Sequence, residues 1–248
     1  MRRYWVEEQF KNDDEFVLTG DVHHHIIKVC RQERGSQFEL LLDQQKAYLV
    51  EITSVDKKNA ICKIISEREI EPLKKPYVNL AVSLPRFQKM DEIVEDAVEM
   101  GIFKIWPFTS EFSFVRDLNK ISESKQKRWD KIIVSATQQT GRGDLMRLSE
   151  ACNLSKTLEL FNQSGKNKGL FLYEGQGELS LKEALLGLDK DNIDNIWLFI
   201  GSEGGFSERE VDIFKENGLL PITTGSQILR VQTACVAMAG ILKYQLDL

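Results

Sequence analysis

The stretch IGSEGGFSEREV, Ile200 to Val211, sets three glycines and a glutamate between an apolar run and a helix start. Ser207 followed by Glu210 is a capping box: the hydroxyl accepts from the backbone N–H three residues on, and the carboxylate reaches back. The helix therefore begins at Ser207, and the glycines fall in a strand-to-helix turn. Backbone N–H groups there are free and share the positive end of the helix dipole, so a ligand could lie flat on them. The pattern is neither G-x-G-x-x-G nor G-x-x-x-x-G-K-[ST], and no lysine follows, which disfavours a triphosphate. Glu203 inside the loop repels phosphate and suits a cationic or hydroxyl-bearing ligand; its plainer role is to complement the helix dipole, worth about 0.3–1 kcal/mol.

Working outward, apolar runs alternate with helical segments from Tyr77 onward: VNLAVSLP, MDEIVEDAVEMG, IFKIWPF, KRWDKIIVSATQQ, GLFLYEG, SLKEALLGL, NIWLFIG, EREVDIFKENG, LPITTG and QTACVAMAGILKYQL. Near-continuous apolar strands between helices predict an α/β domain with a parallel sheet covered on both faces. Ligand sites in such sheets collect at the carboxyl ends of the strands. Two further edges join the first: TTGSQILRVQTACVAMAG, whose Thr233, Ala234, Ala237 and Ala239 permit close approach, and LFLYEGQG, which places Glu174 at a strand end. Packing gives no reason for Arg230, between a strand end and a helix start, since a guanidinium is rarely buried without a partner.

Upstream, EREIEPLKKP breaks all periodicity, and a domain boundary is expected there, with domains at 1–70 and 76–248. The first third alternates FELLLD, AYLVEITSVD and NAICKIISE with charged turns, which predicts a small meander sheet or barrel. One helix is expected through DVHHHIIKVCRQERG, with Asp21 as N-cap and Gly35 as its stop.

A net charge of −5 over 248 residues leaves any nucleic-acid contact to a local patch. The four cysteines, Cys30, Cys62, Cys152 and Cys235, show no CxxC spacing, so neither a zinc site nor a disulfide framework is expected. No segment approaches the ~18 apolar residues of a membrane span, and a soluble cytoplasmic protein is expected. His23, His24 and His25 splay by about 100° per residue on a helix and cannot converge on one metal; a role on the exposed helix face and a structural role both remain. The stretch from Phe114 to Leu148 is richer in Lys and Arg than in acids, with Arg116 after the aromatic FSF and Arg142 as the better candidates for phosphate contact.

Four segments in order carry a resemblance: IGSEGGFS, ILRVQTA, QTGR at Gln139 to Arg142, and HHIIKVCR from His24 to Arg31. They resemble IGPEGGFS, ILRTETA, Q-S-G-R and HH-I-V-K-V-L-R of the SPOUT-class methyltransferases that act on uridine N3 in 16S ribosomal RNA. The resemblance implies a PUA-like β-barrel followed by an α/β SPOUT domain with a deep C-terminal trefoil knot, and S-adenosylmethionine as cofactor. It implies a homodimer acting on the small ribosomal subunit, with no metal and no membrane. Donor-binding residues carry over to Leu172, Tyr173 and Glu174, to Ile200, Gly201, Gly204 and Gly205, and to Gly225, Ile228, Leu229, Arg230, Thr233 and Ala234. RNA contacts carry over to Lys28, Arg31, Arg34, Arg86, Arg116 and Arg142.

Methyl transfer to uracil N3 needs in-line alignment and removal of the N3 proton from a base held out of any stack. Arg230 is the expected stabiliser of the developing uracil anion and Glu203 the candidate base. The chain departs from the family pattern at Ser202, where a proline is usual and the loop is expected to be more mobile. It departs also at Gln232 for glutamate and Ser135 for an acidic residue; these changes bear on activity, not on fold. Two other readings stay open: a non-catalytic RNA-binding or ribosome-assembly protein, and a SPOUT methyltransferase acting on another RNA.

Overall fold

Beyond Pro76 the apolar runs become strands that lie side by side in one direction. A computed structural model describes residues 1–43, 45–175 and 177–248. Gln44, in the segment QQK, and Gln176, in LFLYEGQG, lie outside the described residues. Two units emerge, Met1–Pro72 with Val134–Leu145, and Leu73–Ile133 with Met146–Leu248.

The first unit contains β1 (Arg3–Trp5), β2 (Glu15–Thr19), α1 (Gly20–His23), β3 (Gln37–Leu42), β4 (Lys46–Val55) and β5 (Asn59–Glu69). Its five-stranded sheet runs β1-β3-β4-β5-β2, parallel only between β1 and β3. Register shifts between β4 and β5 at Leu49/Val50 and Ile52/Ser54 mark bulges that bend the pair. Phe16, Leu18, Phe38, Leu40, Val50 and Ile52 form its core. Glu39 is buried beside this core and is held by Arg68, with bonds of 2.7 and 2.9 Å, and by Arg3 at 3.1 Å.

The expected helix through His23–His25 differs in detail. It begins two residues early at Gly20, whose φ of +56° turns the chain out of β2, so Thr19 is the N-cap and Asp21 is inside the first turn. From His24 to Val29 it widens into a π-helix and ends at Cys30; Gly35 belongs to the turn before β3 and donates to the Ile52 carbonyl. His23 is buried while His24 and His25 are exposed, so the run does splay.

The second unit contains β6 (Tyr77–Ser83), α2 (Phe87–Glu99), β7 (Lys104–Thr109), α3 (Glu123–Thr140, its last turns counted with the first unit), β8 (Arg147–Leu148), β9 (Cys152–Asn153), α4 (Leu154–Asn162), β10 (Asn167–Leu172), β11 (Leu179–Ser180), α5 (Leu181–Leu186), β12 (Asn195–Ile200), α6 (Glu208–Glu216), β13 (Pro221–Thr223) and α7 (Val231–Leu246). Every pair in its sheet is parallel, in the order β11-β13-β10-β12-β6-β7-β8, with β9 also on β7. The central strands β6 and β12 are buried almost throughout, which is why they read as unbroken apolar runs. An aromatic cluster joins the sheet to α4 and α6: Phe171 stacks on Phe214 at 4.0 Å, and Phe161, Trp197, Phe199 and Phe206 surround them. Each such ring contributes about 1.5–3 kcal/mol on burial. The helix α2 packs on α7, which also lies on β6 and β12.

Candidate functional site

Five parallel strands end at the same edge, and the chain leaving each of them lines one cavity of about 930 Å³. Arg86 follows β6, Phe112 to Phe114 and Arg116 follow β7, Tyr173 and Glu174 follow β10, Gly201 to Gly205 follow β12, and Thr224 to Arg230 follow β13. The sequence places the site at the carboxyl edge for a general reason: parallel strands end together there, and their loops diverge to leave a crevice.

Residues 202–205 form a tight turn in which Gly205 N–H donates to the Ser202 carbonyl at 3.0 Å. Beyond it Ser207 and Glu210 make both bonds of the capping box, at 3.3 and 3.0 Å. The other carboxylate oxygen of Glu210 accepts from Glu111 N–H at 2.8 Å, so one buried side chain fixes the start of α6 and the segment after β7 together. Gly205 has φ +66°, and a Cβ there would fall 1.6 Å from Glu174 Oε1; one on Gly204 would fall 2.8 Å from Phe112 Cβ. These glycines thus let the loop lie against its own neighbours.

Ser202 is buried and donates from Oγ to the Phe112 carbonyl at 2.8 Å. This bond ties down a position expected to be looser than the usual proline. A second anchor lies beneath: Ser83 Oγ contacts Ser110 Oγ at 2.6 Å and Ser113 Oγ at 2.8 Å, all three buried.

Opposite this wall, Arg230 is the N-cap of α7 and is exposed. Among the described residues, the side chains of Arg230, Glu203 and Glu174 make no hydrogen bond or ion pair, and the main-chain N–H groups of Glu203, Gly204 and Ser226 to Arg230 find no acceptor. Unpaired donors lining a cavity of this size fit a ligand with several oxygen or nitrogen acceptors, such as an adenosine and an amino-acid carboxylate. Four cations, Arg86, Lys89, Arg116 and Arg230, line the cavity against two carboxylates, Glu174 and Glu203, which reverses locally the −5 balance of the chain. Gln232 bonds through its amide to Glu92, whose carboxyl the Lys89 ammonium holds below the ordinary range.

The cavity brings together Leu172, Tyr173, Glu174, Ile200, Gly201, Gly204, Gly205, Gly225, Ile228, Leu229, Arg230 and Ala234, with Arg86 and Arg116. Thr233 is exposed in the first turn of α7 and does not line it. Lys28, Arg31 and Arg34 are exposed in the first unit. Arg142 is engaged in a bidentate pair with Asp144, at 3.1 and 2.8 Å, and its side chain is only 9% exposed. Gln232, singled out in the sequence for standing where a glutamate is usual, lines the cavity too; Lys89, Phe112 and Phe114 also line it, and sequence reasoning gave none of these three a place there. Their only signal was the aromatic FSF. Among the described residues no cluster of His, Cys, Asp and Glu could hold a metal, and no helix is long and apolar enough to cross a membrane.

Two family descriptions match the chain. The family described as "RNA methyltransferase domain" matches residues 71–243, and that described as "RNA methyltransferase PUA domain" matches residues 18–65. Ribosomal RNA small subunit methyltransferase E of Aquifex aeolicus is 30% identical, with 98% of this chain and 99% of that protein covered. The protein of the same name from Bacillus subtilis is 29% identical, over 100% and 98%. The fold matches the crystal structure of a ribosomal RNA small subunit methyltransferase E from Neisseria gonorrhoeae bound to S-adenosyl methionine, with a TM-score of 0.82 at 24% identity over 98% and 97% of the two chains.

Proposed function

The chain belongs to the ribosomal RNA small subunit methyltransferase E family, and from that premise we propose that it methylates N3 of a uridine in 16S ribosomal RNA of the small subunit, with S-adenosylmethionine as donor. The observation that carries this reading is the cleft at the carboxyl edge of β6, β7, β10, β12 and β13, where unpaired main-chain donors meet an unpaired arginine.

Bound in the cleft, S-adenosylmethionine supplies a methyl group on a sulfonium. The backbone of Gly201 to Gly205 and of Ile228 to Arg230 holds the donor, with Leu172 to Glu174 and Ala234 completing the wall. Glu203 is exposed and has no cation partner, which leaves its carboxylate able to accept the N3 proton. Arg230 offsets the negative charge that develops on the uracil, and its lack of a carboxylate partner keeps its donors available. Gln232 carries no charge and cannot serve as base. The exposed Lys28, Arg31 and Arg34 supply phosphate contacts in this reading, whereas Arg142 would first have to leave Asp144. The homodimer and the trefoil knot, implied by the resemblance, and the cytoplasmic place of action expected from the sequence belong to the same reading.

The test is methyl incorporation into small ribosomal subunits lacking the mark, with nucleoside mass spectrometry of the product. We expect 3-methyluridine from the wild-type protein and a loss of roughly 10²–10³ in kcat for Arg230→Ala. Wild-type rates in both Arg230→Ala and Glu203→Gln would remove the assigned roles. A different methylated nucleoside would overturn the uridine N3 assignment. Absence of S-adenosylmethionine binding by calorimetry would favour the non-catalytic assembly reading.

A further inference from the structure

We propose that Phe112 and Phe114 form a stacking platform for an unpaired nucleobase of the RNA substrate, on the wall of the cleft that follows β7. The inference rests on the reading of the chain as an RNA methyltransferase. Both rings line the cleft, yet Phe112 is 42% and Phe114 59% exposed, although core burial would be their ordinary fate. The segment that presents them is fixed from four directions. Ser202 Oγ donates to the Phe112 carbonyl, Glu210 accepts from Glu111 N–H, Phe114 N–H donates to the Leu84 carbonyl at 3.0 Å, and Ser113 is tied to Ser83 and Ser110. Two phenyl rings are thus held in water by a rigid loop, so the face they offer is present before any ligand arrives.

Charge selects the occupant. The Arg86 guanidinium lies 4.9 Å from the Phe114 ring centre, and Arg116 follows on the same segment, with its Nε donating to the Ser113 carbonyl. Aromatic faces interleaved with cations are the arrangement that binds single-stranded nucleic acid: every base has a π-face to stack, and the cations take the phosphates. An apolar protein partner would leave these arginines desolvated without counter-charge. A base extruded for chemistry loses its stacking neighbours, and a preformed ring on the cleft wall replaces them.

The test uses the full-length protein and measures affinity for small ribosomal subunits lacking the mark by filter binding at one fixed salt concentration, because turnover is then not required. Phe114→Ala and Phe112→Ala should each weaken subunit binding roughly tenfold, with S-adenosylmethionine at saturation so that donor affinity does not enter the readout. Phe114→Tyr, which keeps a π-face, should bind as wild type; Phe114→Leu, which keeps only apolar bulk, should bind as the alanine variant. Unchanged subunit affinity in both alanine variants, or full rescue by leucine, would overturn the platform. So would a change in oligomeric state by light scattering in Phe114→Ala, since the rings would then join two copies of this chain. Failure of the wild-type protein to methylate RNA would sink the functional reading instead, and the binding arms separate the two outcomes.

Discussion

Gly205→Ala places two separable loads on the donor loop, and Gly218→Ala carries only the first of them. Both glycines have positive φ, +66° and +74°, but a Cβ at Gly218 meets nothing within 4 Å, whereas one at Gly205 falls 1.6 Å from Glu174 Oε1 and 2.6 Å from its Cδ. A left-handed alanine costs about 1–2 kcal/mol. At ~2–4 °C per kcal/mol for a chain of this size, Gly218→Ala should lower Tm by about 2–8 °C. Gly205→Ala adds the displacement of Glu174. That side chain is exposed and can swing aside, so the extra cost is about 0.5–1.5 kcal/mol, the scale of an off-rotamer side chain. The same displacement moves the turn that holds the donor, and ~1 kcal/mol of reorganisation weakens S-adenosylmethionine binding about fivefold. Glu174→Ala should remove the second load: in that background Gly205→Ala falls back to the Gly218→Ala value. Thermal unfolding of the four proteins, with calorimetry for the donor, decides it. Equal costs for Gly205→Ala with and without Glu174 would refute the claim that the carboxylate is lodged against the loop.

Two further outcomes follow from buried carboxylates. Ser207→Ala should cost about 1 kcal/mol as a lost cap, and Glu210→Ala should exceed it by about 1–3 kcal/mol because Glu111 N–H loses its acceptor as well; equal urea midpoints would show that the bond to Glu111 contributes nothing. The Arg68 hydrogen bond, with Arg3 beside it, holds the Glu39 carboxyl below the ordinary carboxylate range. Its contribution to stability is therefore present above that range and is lost as pH falls through the lowered value. Glu39→Gln should be less stable than wild type at neutral pH and converge with it in strong acid, as read from urea midpoints across that span.

The second unit was legible because its signals are local. Unbroken apolar runs such as NIWLFI need no neighbour to be recognised as buried strands, and the Ser207 and Glu210 box announces α6 within four residues. What escaped depends on distant partners or on backbone shape. The helix at Leu154 was passed over although Asn153 caps it, and the widening at His24 has no residue signature. Ser202 read as a loss of stiffness, because its bond goes to a carbonyl 90 residues away. FSF was noted only as the aromatic segment before Arg116, and only the fold shows that both of its rings stay in water. In Arg142 the cation was visible but its engagement with Asp144 was not, since residues two apart meet only when the backbone turns.

The bond from Glu210 to Glu111 also sets an order of events during synthesis. The wall after β7 emerges 99 residues before the carboxylate that pins it, and Ser202 arrives only slightly sooner. At about 5–20 residues per second this is an interval of roughly 5–20 s. For that time Phe112 and Phe114 are displayed by a segment lacking both fastenings, so a nascent chain stalled short of residue 200 exposes two loose aromatic residues that chaperones or neighbouring chains can capture.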